Sequence, residues 1–143
     1  MEMDEITGAI ISAAMDIHIG LGPGLLESVY ERVLAKVLTD KGFSVETQKP
    51  ISFVFNGLHF SEGFRCDLLV NQTVVVELKS VEKMIPVYKK QLLTYLRLMN
   101  LEVGLLINFG SATLKEGLER VVNHHQPKES SLLRVNRMSG EIS

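Results

Sequence analysis

The stretch that most constrains this chain is FRCDLLVNQTVVVELK, Phe64 to Lys79. Two runs rich in Val and Leu flank a short polar turn, the pattern of a β-hairpin, and three ionisable residues interrupt them: Asp67, Glu77 and Lys79. Burying two carboxylates and an ammonium without partners costs several kcal/mol or more. A divalent cation held by the two carboxylates, with the lysine beside it, is the economical compensation, and hard cations such as Mg²⁺ take carboxylate oxygens, water and substrate phosphates. Side chains alternate along a strand, so Glu77 and Lys79 share one face while Val74, Val76 and Leu78 point to the other. Asp67 lies across from Glu77 only if the two positions are symmetric about Gln72. The spacing therefore predicts a three-residue turn, Asn71 to Thr73, or a β-bulge. In the alternative, Glu77 and Lys79 form an exposed ladder pair, but the unbroken run Val74 to Val76 favours a strand covered on both faces.

Length places the 143 residues in one domain, expected over 1–125, with an aperiodic, flexible or partner-binding tail over 126–143. The chain has neither a run of about 18 apolar residues nor a basic-then-apolar leader, so a soluble, cytoplasmic protein without a membrane partner is expected. A single cysteine, Cys66, excludes an internal disulfide and a cysteine zinc site, and His124-His125 is too isolated to suggest one. The net charge of −2 argues against nucleic acid as a partner, yet Lys79, Lys83, Lys89, Lys90 and Arg97 face only Glu82 in their segment. That local excess suits phosphates and equally suits a solvated helix face.

Helical spacing predicts a first helix over Asp4 to Ile19, with Asp4 as its cap, and a second from Gly24 to about Asp40. On the second, Leu26, Val29, Tyr30, Val33, Leu34, Val37 and Leu38 form one arc, and Glu27 falls inside it. An acid on such a stripe is either neutralised by a partner or serves as a ligand or orienting group for the same cation. Val45 to Phe55 and Leu58 to Phe64 read as strands around the Asn56-Gly57 turn, with a bend near Glu62-Gly63. Pro86 opens a third helix reaching about Met99, where Gln91 and Tyr95 share the arc of Tyr88, Leu98 and Met99. Glu102 to Phe109 reads as a buried strand and Leu114 to about Asn123 as a closing helix. The order α, α, β, β, β, α, β, α implies a mixed α/β sheet sandwiched by helices.

Asp67 followed by Glu77-Leu78-Lys79 resembles the PD-(D/E)XK nuclease signature. Together with GLGPGLLESVY at Gly20 to Tyr30, QLLTYL at Gln91 to Leu96 and LLINFG at Leu105 to Gly110, it is similar to the GxxExxY proteins of that superfamily, from about Ile6 to Val122. Cys66 stands where the superfamily name has proline. The resemblance implies a restriction-endonuclease-like fold and Mg²⁺- or Mn²⁺-dependent hydrolysis of nucleic acid, DNA before RNA, with a homodimer as one arrangement. Asp67, Glu77, the Leu78 carbonyl and Glu27 would hold metal. Lys79 would orient water or steady developing charge, and Gln91, in a Gln-x3-Tyr arrangement similar to that of RecB-like nucleases, would position water or a phosphate oxygen. Two rivals remain open: a nuclease-fold module that binds nucleic acid or a protein without cleaving, and a structural domain with a buried ion network.

Overall fold

The computed structural model describes residues 1–124. The tail expected over 126–143, and His125, lie outside the described residues. Two helices come first, α1 (Met3–Leu21) and α2 (Glu27–Asp40), then the strands β1 (Val45–Phe55), β2 (Leu58–Val70) and β3 (Val74–Lys79). Helix α3 (Pro86–Met99) crosses to β4 (Val103–Asn108), and a short 3-10 turn, Lys115–Gly117, leads into β5 (Leu118–Val122). The strands stand in chain order, β1-β2-β3-β4-β5. Among the described strands only β3 and β4 run parallel, joined through α3, so the sheet is mixed as expected.

Each face of the sheet is covered. Ile6, Ile10 and Ala13 of α1 and Tyr30, Leu34 and Leu38 of α2 pack on Leu68, Val76 and Leu78. Leu92 and Leu96 of α3 pack on Cys66, Leu69, Val75 and Leu106 on the other side. This is a sheet sandwiched by helices, the restriction-endonuclease-like α/β architecture.

Four local expectations are corrected. Asp4 does not cap α1: Glu2 occupies that position without a side-chain bond, and Asp4 sits in the first turn, where an acid still suits the helix dipole. Leu26 is 74% and Val29 37% exposed, so the apolar arc of α2 begins in earnest at Tyr30. Leu98 likewise points outward on α3, whose buried stripe is Leu92 and Leu96. The closing segment is the 3-10 turn Lys115–Gly117 followed by the strand β5, antiparallel to β4 with Leu118 opposite Ile107, rather than an α-helix. Leu114, Leu118, Val121 and Val122 fit helical spacing, but the open edge of β4 offers a full row of backbone partners. Gly117 also lets the chain pass close to β4, where a Cβ would come within 2.4 Å of the Asn108 carbonyl oxygen.

The turn at Asn56-Gly57 forms as expected, with both residues at positive φ, the signature of a tight two-residue hairpin. The bend near Glu62-Gly63 is a bulge. Ile51 pairs with Phe64 but Phe53 with Phe60, so β2 spends two more residues than β1 between those pairs.

Candidate active site

The β2–β3 turn is the three-residue loop Asn71, Gln72 and Thr73, with Asn71 and Gln72 at φ 50° and 52°. Leu68 pairs with Val76, Leu69 with Val75 and Val70 with Val74, so the hairpin is symmetric about Gln72. One step further brings Asp67 to Glu77. Regular pairing stops there, and the carboxylates take over as partners. The Asp67 N–H donates to Glu77 Oε2 at 2.9 Å, and the Leu78 N–H donates to Asp67 Oδ2 at 2.9 Å.

Glu77 is 8% exposed, which removes the exposed ladder pair from consideration. Burial, and then the charge of Asp67, pushes its carboxyl up to about 8, while Lys79 pulls the other way. Glu27 is the first residue of α2. It is exposed, in contrast to its place on the expected apolar arc, yet its carboxyl is raised by partial desolvation, then by Asp67, against the pull of Lys79. The fold therefore brings Asp67 and Lys79 within electrostatic reach of both Glu27 and Glu77, with the Leu78 backbone between Glu77 and Lys79. The Lys79 ammonium lies over the Tyr88 ring, 4.4 Å from its centroid.

Gln91 does not occupy the buried position expected of it. It is exposed, and its side chain hydrogen-bonds the Tyr95 phenol. Tyr95 itself stacks on Phe64 at 4.1 Å between centroids, and its phenol is raised by burial and then by Glu77 and Asp67.

The loop before α2 is tied down by its own tyrosine. The Tyr30 hydroxyl donates to the Gly22 carbonyl at 2.5 Å and accepts from the Leu25 N–H at 3.1 Å, while its ring stacks on Phe109, 4.3 Å away. Ser80, next after Lys79, donates to the Leu25 carbonyl at 2.5 Å. These bonds fix the start of α2, and so Glu27, against the end of β3. Cys66 is buried, its thiol pushed up to about 12 by burial, consistent with a packing role. His18, at the end of α1, bonds the Ser111 carbonyl at 2.9 Å and takes no part in the cluster.

Two members of the neighbourhood escape sequence reasoning. The Gln48 amide nitrogen donates to Glu31 Oε1 at 2.6 Å and to Asp67 Oδ1 at 3.1 Å. Glu31 was within reach of inference, being four residues, one helical turn, beyond Glu27. Its carboxyl is raised by burial, lowered by the Gln48 bond and raised by Asp67.

A mixed sheet between helices, with two carboxylates and a lysine at the point where adjacent central strands part, defines a nuclease-type α/β sandwich. The model of the PD-(D/E)XK nuclease superfamily matches residues 4–121, and the chain belongs to that superfamily. Neither the curated proteins nor the solved structures provide a match.

Proposed function

We propose that this protein is a metal-dependent nuclease that hydrolyses phosphodiester bonds, and that within its superfamily it is one of the GxxExxY proteins, on the run Gly24 to Tyr30. The observation that carries the reading is the Asp67–Glu77 pair. Two carboxylates are held side by side, one of them buried, at the end of a strand hairpin beside Lys79.

The donor set fits a hard divalent cation. Among the described residues no three His, Cys, Asp or Glu side chains form a ready-made metal cage. Mg²⁺ does not require one, because it keeps several waters and binds through one or two carboxylates plus substrate phosphate. Asp67 and Glu77, with the Leu78 carbonyl and Glu27, would hold Mg²⁺ or Mn²⁺. Such a cation supplies Lewis acidity towards a phosphate oxygen and lowers the pKa of water. Positive charge there also favours the ionised form of Glu77, against the burial and the Asp67 charge that raise its carboxyl. Lys79 steadies charge developing on the phosphate, and Tyr88 holds its ammonium in place. Gln91, displayed at the surface beside Tyr95, meets substrate phosphate or its water. The substrate is nucleic acid, DNA in the first instance, in the cytoplasm. A homodimer would let two such sites address two strands.

One observation favours the structural rival: both carboxylates already hydrogen-bond the backbone. Calorimetric titration of Mn²⁺ and Mg²⁺ into wild type, Asp67→Ala and Glu77→Ala separates them. The nuclease reading expects binding that both variants lose, and cleavage of labelled nucleic acid that Asp67→Ala and Lys79→Ala abolish without unfolding. Retained cation-dependent cleavage in either of those two, or a wild type that neither binds nor cleaves, would overturn it. Cation binding without any cleavage by the wild type would instead support the non-cleaving binding module.

A further inference from the structure

Gln48 has φ 47°, in the left-handed region that a residue with a side chain seldom occupies. Thr47 pairs with Leu68 and Lys49 with Cys66, so Gln48 stands opposite Asp67 where the β1–β2 ladder is interrupted. The unusual backbone coincides with an unusual set of bonds. One amide nitrogen carries two hydrogens, and here each goes to a different carboxylate: Glu31 on α2 and Asp67 on β2. Ionised carboxylates only accept, so the nitrogen must be the atom between them. Asp67 is thereby gripped from both ends. Its Oδ2 accepts from the Leu78 N–H and its Oδ1 from Gln48, which fixes the carboxylate plane and leaves the remaining lone pairs for another partner.

We propose that Gln48 is a positioning residue that sets the orientation of the Asp67 carboxylate and anchors it, through Glu31, to α2. The role in cation binding rests on the function proposed above, whereas the linkage itself does not. Groups that orient a metal-binding carboxylate by hydrogen bonding are worth roughly 10–100-fold in affinity or activity when removed.

Two substitutions separate this role from simple stability. Gln48→Gly relaxes the left-handed backbone and removes the amide, whereas Gln48→Ala keeps the strain and removes the amide. Gln48→Gly should melt no lower than Gln48→Ala, and both should bind Mn²⁺ at least about tenfold more weakly than wild type by calorimetry. In cleavage, kcat should fall at least about tenfold with KM nearly unchanged. Wild-type Mn²⁺ affinity in both variants overturns the proposal and leaves the nuclease reading standing. The linkage is also read without metal, by thermal melts of Gln48→Ala, Asp67→Ala and the double variant. A loss in the double variant smaller than the two single losses together is expected, and strict additivity overturns the proposal even if the protein binds no cation.

Discussion

With its carboxyl pushed up to about 8, Glu77 keeps its proton through mildly acidic conditions in the metal-free protein, while an unfolded chain releases it near the ordinary 4.5. The folded state then binds more protons than the unfolded state between those values. The stability this contributes is complete below about 4.5 and is lost as pH rises to about 8. Melts of the chelator-treated protein across that range should therefore fall with pH, by at most about 1.4 kcal/mol per pH unit at the steepest. Glu77→Gln should flatten the fall, and an equally steep profile in that variant would refute the assignment to Glu77. Asp67, Glu77 and Lys79 were legible as residues because charge inside an apolar run is conspicuous. Gln48 was not, and the reason is the bulge. Counting back from the Asn56-Gly57 turn puts Glu46 opposite Asp67, and only the two-residue shift between Ile51 and Phe53 brings Gln48 there.

At the scale of elements, the end of β4 holds the loop that follows Lys79. Asn108 is buried, and its oxygen accepts from the Val81 N–H at 3.0 Å and the Gly110 N–H at 2.9 Å. Its nitrogen donates to the Val81 carbonyl at 2.9 Å and the Ser111 hydroxyl at 3.1 Å. Gly110 has to be glycine for this closure, since a Cβ would lie 2.3 Å from the Val81 carbonyl oxygen, a backbone atom with little room to move. Asn108→Ala strands several buried polar groups and should cost about 3 kcal/mol in urea denaturation. An unchanged midpoint would show that the loop holds without it. Most elements were legible in the sequence. The hairpins announced themselves through turn residues, and α3 through Pro86. β5 was not, because five residues with two adjacent valines satisfy a helical spacing as well as a strand, and the edge that decides between them lies outside the segment, on β4.

For the molecule as a whole, charge is distributed unevenly: the net is −2, yet Lys83, Lys89, Lys90 and Arg97 stand exposed on α3 and the loop before it. If these residues meet phosphates, replacing Lys83 and Lys90 by alanine should reduce the salt dependence of nucleic-acid binding by on the order of one log unit per log unit of salt for each. Fluorescence anisotropy of labelled strands over a salt series reads this directly. A slope equal to that of wild type would assign these lysines to solvent alone. The sheet's order carries a different consequence. Among the described residues β1 is an outer strand of 11 residues, long for an open border, and a row of free N–H and C=O groups invites the sheets of other molecules to zip on. Lys49 and Pro50 interrupt that row at its middle, the first with charge and the second by lacking an N–H, and the bulge beyond them bends what remains. The same irregular strand that carries Gln48 to Asp67 thus protects the chain against runaway aggregation.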